Sequence, residues 1–154
     1  MAKFFIGFAE FTTSTTAKTA MKLIGAASKS FEIVEIGCYG GGQTAAADTQ
    51  HEIQFGFLSN AGAGTAGASP TPEEAFQYGS ASGLTAGTAY SAEPTTYATN
   101  VFPLFAFNQR SGMRWAVPKG EGLSATGADT NLSAGVRVDS SAAGVISGNM
   151  FWWE

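Results

Sequence analysis

This 154-residue sequence has little of what catalytic and metal-binding sites are usually made from. It contains one cysteine and one histidine. A single cysteine excludes an intramolecular disulfide, and one histidine with one cysteine is too small a set for a conventional zinc site. We therefore expect no metal and no other cofactor. Cys38 has no cationic neighbour in the sequence that would lower its pKa, which predicts a small, buried core residue.

Charged residues are scarce as well, at 13% of the chain, and Gly, Ala, Ser and Thr take their place. Twelve acidic residues against eight basic ones give a formal net charge of -4. The basic residues are scattered between Lys3 and Arg137, without the cluster that follows a phosphate backbone. This distribution predicts no nucleic-acid partner, and any association should use apolar and hydrogen-bonding surface.

Long apolar runs are missing too. The apolar run at 4–9 is shorter than the core of a signal peptide, and no run approaches the roughly 18 residues that cross a bilayer. We expect no membrane partner and synthesis in a cytoplasm without export.

The chain also lacks a convincing helix of about ten residues or more. Short segments with period-2 alternation and β-branched or aromatic residues recur instead, which indicates an all-β protein. A helix remains open at 17–24, where Ala, Lys, Met and Leu are good helix formers. We predict a single domain over 1–154, folded as an antiparallel β-barrel or a jelly-roll-like sandwich. Its predicted strands are 17–24, 31–39, 51–58, 97–107, 114–117, 132–138 and 145–153.

Alternation also predicts which side chains share a face of a strand. Glu32 and Glu35, three residues apart, should point to opposite faces of their strand. Ile53, Phe55 and Phe57 should share one face of their strand. On the strand at 17–24, one face should carry Thr19, Met21 and Leu23, and the opposite face Lys18 and Lys22.

Residues 59–95 form a long excursion rich in glycine and alanine, with no clear core of its own. A loop of this length within a compact domain is commonly functional, so we interpret it as an interaction arm. Phe76, Tyr78 and Tyr90 offer apolar anchors that would hold it in part across the surface.

Aromatic residues are concentrated at the two termini, where chains usually fray. Residues 1–14 are interpreted as a possible N-terminal arm or edge strand, and 145–153 as a paired strand. One face of each terminal strand can be core, while the other would be an exposed apolar patch unless a partner covers it. Both core packing and a subunit interface stay open for these aromatics. The candidate interface residues are Phe4, Phe5, Phe8, Phe11, Phe76, Tyr78, Trp152 and Trp153.

His51 is the one residue around which a hydrolytic site could be assembled. No Gly-x-Ser-x-Gly nucleophile elbow is present, so an ordinary hydrogen bond at the start of a strand is the favoured interpretation. We predict no catalytic residues and no enzymatic activity.

Several segments from Gly25 onwards resemble, in their order, a family of small structural proteins from the morphogenesis clusters of tailed bacteriophages. They are 25–29 followed by 31–36, a Gly/Ala/Ser-rich loop closing on Ser69-Pro70-Thr71-Pro72, Trp115-Ala116-Val117-Pro118 with 120–123, and a final strand with an acidic end. The aromatic segments at 3–11 and 151–153 lie outside that pattern.

The resemblance implies a virion component on the head surface, namely a decoration or cement protein that binds the major capsid protein. Because most soluble oligomers are symmetric assemblies of one kind of chain, we also predict a homo-oligomer, specifically a trimer. The alternative is a carbohydrate- or host-surface-binding β-module of a head fibre or tail accessory, with Trp115 and Tyr97 as candidate stacking residues.

Overall fold

The computed structural model describes residues 2–26, 28–40, 48–59, 64–75, 81–94, 97, 101–125 and 132–154. None of the described residues is helical, so none belongs to a helix that could cross a membrane. The strands are β1 Lys3–Thr12, β2 Lys18–Ile24, β3 Phe31–Gly40, β4 Gln50–Ser59, β5 Glu73–Glu74, β6 Thr85–Thr88, β7 Phe102–Asn108, β8 Gly112–Ala116, β9 Leu123–Ala125, β10 Leu132–Ser140 and β11 Val145–Trp153.

The strands form two antiparallel sheets that pack as a sandwich. Sheet A has the order β5-β1-β11-β3-β8, with β9 also pairing with β3, and sheet B has the order β6-β2-β10-β4-β7. The long strands β1, β2, β3 and β4 alternate between the sheets, and the chain crosses again from β7 to β8 and from β10 to β11. This is the strand order of a jelly roll. The all-β prediction is confirmed, as a two-sheet sandwich that does not close into a barrel.

The core lies between the sheets and is built from alternate residues of the long strands. The prediction that Ile53, Phe55 and Phe57 share a face is confirmed, since all three pack with the core. Cys38, predicted to be buried, is fully enclosed on β3, and burial raises the pKa of its thiol to about 12. The prediction of a strand rather than a helix at 17–24 is likewise confirmed by β2.

Within the described residues, the strand pairing shifts register at four places, in the pairs β1–β11, β2–β10, β3–β11 and β4–β7. Two of these β-bulges, on β3 and β2, change side-chain faces that the sequence predicts. Pairing of β3 with β11 shifts between Ile33 and Glu35, which leaves Val34 as the extra residue. Glu32 and Glu35 consequently share the outer face of sheet A, and their predicted placement on opposite faces is wrong. On β2 the register with β10 shifts at Ala20. Thr19 therefore lies on the outer face of sheet B, whereas Met21 and Leu23 face the core.

The edge of sheet A is one interrupted strand. β8 pairs with the second half of β3 and β9 with the first half, and the turn 117–122 bulges out between them. One Glu32 carboxylate oxygen fastens this turn, accepting hydrogen bonds from the N–H groups of Gly120 (2.6 Å) and Gly122 (2.7 Å). The predicted strand at 97–107 begins later than expected, at Phe102.

The excursion at 59–95 has more regular structure than the sequence predicts. It contributes β5 to the edge of sheet A and β6 to the edge of sheet B, so it covers the β1 and β2 edges together. Residues 3–12 are paired along β11 and, at Phe4 and Phe5, with β5. They form a strand of the sandwich and not a free arm.

Candidate interaction surface

The terminal aromatics divide between core and surface by alternation, which a register shift between Phe8 and Phe11 interrupts on β1. Four of the predicted interface residues face inward and are buried in the folded chain; they are Phe4, Phe8, Phe11 and Trp152. Phe5 and Trp153 lie on the outer face of sheet A and are half-buried. Phe76 and Tyr78 lie outside the described residues.

Phe151 joins the two surface aromatics into a row across β1 and β11. Its ring stacks on Phe5 with a centroid separation of 5.5 Å, and Trp153 follows two positions along the same face. Phe151 is not among the interface residues predicted from the sequence. The signal was present in the sequence, because a residue two before Trp153 on a strand must share its face. We call Phe5, Phe151 and Trp153 the aromatic row.

Lysine ammonium groups lie over two rings of the aromatic row. Lys3 Nζ is 4.8 Å from the Phe151 ring centroid, and Lys119 Nζ is 5.1 Å from that of Trp153. Such cation–π contacts hold long side chains against apolar surface while their charges stay hydrated. The row therefore presents apolar area bordered by positive charge.

A shallow groove of about 410 Å³ runs beside Trp153. Phe31 and Ala125 contribute apolar surface, and Ser30 and Ser124 contribute hydroxyl groups to its lining. Glu32 also lines it, although one carboxylate oxygen is already used by the turn 117–122. The groove combines an indole ring with polar groups at its rim.

The outer face of sheet B is closed over its centre by the chain's own excursion. Glu93 accepts hydrogen bonds from the N–H of Thr19 at 2.8 Å and from its hydroxyl at 2.7 Å. The Tyr97 hydroxyl lies 2.6 Å from the same Thr19 hydroxyl, and Arg137 lies over the Tyr97 ring at 4.7 Å. Burial is the main reason that the pKa of Tyr97 is raised.

Lys22 is enclosed under this cover although the sequence places it on a polar face. It is 0% exposed, and burial lowers the pKa of its ammonium group. Its neighbours in register are Gly87 on β6 and Gly135 on β10. Both lack side chains where tyrosines approach, since an added Cβ would lie 2.5 Å from Tyr90 Oη and from Tyr97 Oη respectively.

Glu154, which follows β11, is held by both backbone and side-chain hydrogen bonds. Ala2 and Glu154 exchange two backbone hydrogen bonds. The Glu154 carboxylate accepts from the indole N–H of the buried Trp152 at 3.1 Å and from the N–H of Gly83 at 2.9 Å. The Ser82 hydroxyl also donates to it. This clasp joins β11 to the excursion.

Among the described residues, His51 makes one side-chain hydrogen bond, which agrees with the interpretation favoured from the sequence. Its Nδ1 lies 2.7 Å from Ser140 Oγ, and both residues are buried. Among the described residues, its Nε2 has no hydrogen-bond partner, and neither does the buried Gln109 Oε1. An added Cβ on Gly144 would lie 2.9 Å from Gln109 Oε1 and 3.1 Å from His51 Cε1, so both groups converge there. Burial lowers the pKa of His51.

Two carboxylates close to His51 in the sequence are engaged by other described residues. The carboxylate of Asp48 pairs with Arg110 at 2.9 Å, and Glu52 accepts from Gln54 at 2.7 Å. Within the described part of the chain, no group of three or more His, Cys, Asp or Glu residues could hold a metal ion.

The two residues considered for sugar stacking are not brought together. Trp115 lies on β8 of sheet A and packs against the core. Tyr97 covers the outer face of sheet B, where Arg137 occupies one side of its ring. They cannot form a common platform.

No protein-family model and no curated protein sequence matches the chain. Solved structures similar to it include the following two. One is the crystal structure of the infectious bursal disease virus VP2 subviral particle, with a TM-score of 0.36, 9% identity and coverage of 96% of this chain and 32% of that chain. The other is the structure of infectious bursal disease virus Gx strain, with a TM-score of 0.30, 8% identity and coverage of 98% and 29%. This chain thus spans about a third of the length of the viral chains it matches, and the likeness carries no argument about function.

Proposed function

We propose that the chain is a non-enzymatic virion structural protein, a decoration or cement protein that binds the head lattice of a tailed bacteriophage through the outer face of sheet A. The observation that carries this proposal is the aromatic row of Phe5, Phe151 and Trp153, half-buried side chains that share the outer face of sheet A. Contiguous apolar surface bordered by charge is typical of protein docking sites.

The second sheet supports the choice of face. The centre of its outer surface is occupied by the excursion, with Lys22 and Leu58 fully buried beneath. A partner that binds the folded chain through a broad sheet face therefore meets sheet A. A protein that binds only the assembled shell stabilises that shell by mass action.

Co-sedimentation with expanded, undecorated heads of the encoding phage tests the proposal. The wild-type chain should pellet with the heads and raise the temperature at which they break open. Phe5→Ser and Trp153→Ser should weaken binding by roughly tenfold each, the loss expected for one well-packed contact. Glu52→Gln, an exposed change on sheet B, is the matched control and should bind as the wild type does. Equal binding by all four proteins would refute docking through sheet A.

The alternative function, a carbohydrate- or host-surface-binding module, is favoured by the groove beside Trp153. An indole ring at the rim of a groove with serine hydroxyls suits a sugar, whose apolar face stacks on aromatic rings. Saccharide titrations of the isolated chain, followed by Trp153-dependent fluorescence, separate the two functions. Saccharide binding without pelleting on heads supports the alternative, and pelleting without a saccharide signal supports the decoration protein.

A further inference from the structure

The outward edge of β8 is unpaired among the described residues, whereas the opposite edges of both sheets are covered by β5 and β6. Four of its five residues are exposed, and the strand contains neither lysine nor proline. An open edge of this kind presents a row of backbone donors and acceptors to another strand.

The register with β3 identifies which backbone groups are free. Gly40 N–H donates to Ser111 C=O and Val117 N–H donates to Val34 C=O, so both pairs belong to the hydrogen-bonded set of an antiparallel ladder. That set alternates along the strand, so Met113 and Trp115 also direct their backbone groups towards β3. The groups of Gly112, Arg114 and Ala116 consequently point to the open edge.

Exposed apolar side chains accompany this edge. Among the described residues, the large apolar side chains that remain exposed are Met113 (43%), Tyr39 (41%) and Phe102 (37%). Met113 lies on β8 and Tyr39 is paired with Gly112, while Phe102 begins β7 at the same side of the sandwich. Their common location indicates that this side is covered by a partner.

We propose that the partner is a second copy of this chain, paired antiparallel through β8 about a two-fold axis at Arg114. This dimer takes the place of the trimer predicted from general oligomer symmetry. In this register Arg114 faces its own copy, and Gly112 faces Ala116 of the second copy. About six main-chain hydrogen bonds form, two in each of the facing pairs. Sheet A then continues from one copy into the other.

The side chains fit this register on both faces of the joined sheet. On the core side, Met113 of each copy meets Trp115 of the other in a close, non-hydrogen-bonded pair, which suits a sulfur–aromatic contact. On the outer side the two Arg114 side chains approach each other. Each is already paired with Glu35 of its own copy, with a separation of 3.2 Å between Arg114 Nε and Glu35 Oε1. The four charges form a balanced cluster instead of a repulsive pair.

Sedimentation equilibrium of the full chain over a range of concentrations tests the pairing. The wild type should be a dimer. Ala116→Pro removes a free-edge N–H without touching the ladder to β3, and should raise the dissociation constant by roughly 30-fold, because one hydrogen bond is lost on each side of the axis. Ala116→Ser keeps the backbone N–H and should remain a dimer. A wild-type monomer at every concentration, a trimer, or a dimer unaffected by Ala116→Pro would overturn the proposal.

Cross-linking keeps the test decisive if Ala116→Pro folds poorly. Facing Cα atoms of a hydrogen-bonded pair are about 5.5 Å apart, within the range of a disulfide. Arg114→Cys should therefore oxidise to a covalent dimer far faster than Thr71→Cys, an exposed site just before β5. Equal rates for the two variants would contradict the pairing. This dimer does not depend on head binding, so the two proposals can fail separately. An Ala116→Pro variant that is monomeric but still binds heads would support the pairing alone. A variant that remains a dimer but no longer binds heads would separate the proposals in the opposite way.

Discussion

His51 is the only histidine of the chain, and its neutral ring is enclosed between Ser140, Phe107 and Gln109. Burial lowers its pKa below the ordinary value of 6.5, so the unfolded chain binds the proton more readily than the folded chain does. The folded state is therefore favoured fully above about pH 6.5 and loses stability as the pH falls through that value towards the lower pKa of the folded state.

Thermal unfolding at pH 7.5 and at pH 5.5 measures this effect. The wild type should unfold at a lower temperature at pH 5.5, while His51→Gln should lose most of that difference, because no other side chain in the sequence ordinarily titrates between these values. A pH difference of the same size in His51→Gln would show that another group causes it.

A substitution at Gly135 tests whether Tyr97 is held in place over the outer face of sheet B. An added Cβ would lie 2.5 Å from Tyr97 Oη and 2.9 Å from Leu58 Cδ1, so Gly135→Ala must displace the tyrosine from Thr19. We expect a loss of about 1–3 kcal/mol in the free energy of unfolding, measured by urea denaturation. Gly7→Ala is the control, since an added Cβ there meets only Gly148 O at 3.3 Å. A smaller loss in Gly135→Ala than in Gly7→Ala would contradict a fixed Tyr97.

At the scale of the element, β11 places two neighbouring tryptophans in opposite environments. Trp152 is 0% exposed and stacks on Phe4 with a centroid separation of 6.1 Å, whereas Trp153 faces outward. Trp152→Ala should cost about 3–5 kcal/mol of unfolding free energy, and Trp153→Ala less than about 1 kcal/mol. Urea denaturation of the two variants compares the same substitution one residue apart. Similar costs would mean that the strand does not hold this register.

The excursion depends on Glu93 at its contact with β2. Glu93→Gln replaces a carboxylate that accepts from both the N–H and the hydroxyl of Thr19 with a weaker neutral acceptor. The Thr19 amide should then exchange its hydrogen roughly tenfold faster, while that of Met150 in the centre of β11 should be unchanged. Acceleration at both amides would indicate global destabilisation instead of local release.

Periodicity predicts the strands of this fold better than it predicts their faces. The regular alternation of Ile53, Phe55 and Phe57 gives the core side of β4 directly. The bulges at Ala20 and Val34 have no sequence signal, because neither position carries the glycine that commonly marks one. Lys22 shows a further limit: the residues that bury it come from a distant excursion, so its own strand contains no sign of burial.

At the scale of the whole molecule, Cys38 reports on separation of the two sheets. It is fully enclosed at the centre of β3, and burial raises the pKa of its thiol to about 12. The thiol should react with a disulfide reagent at pH 8 only when the sandwich opens. The labelling rate should therefore rise with urea with the same slope as global unfolding. Labelling that is rapid without urea and insensitive to it would show that sheet A opens alone.

The covered face of sheet B limits how far any assembly of this chain can grow. Among the described residues, the aromatic row lies on sheet A, while the centre of the outer face of sheet B is already covered. If the chain coats a particle through sheet A, as we propose, each bound copy would turn sheet B towards the solvent. We would then expect the coating to end after a single layer, because sheet B does not repeat the surface through which the first copy is bound.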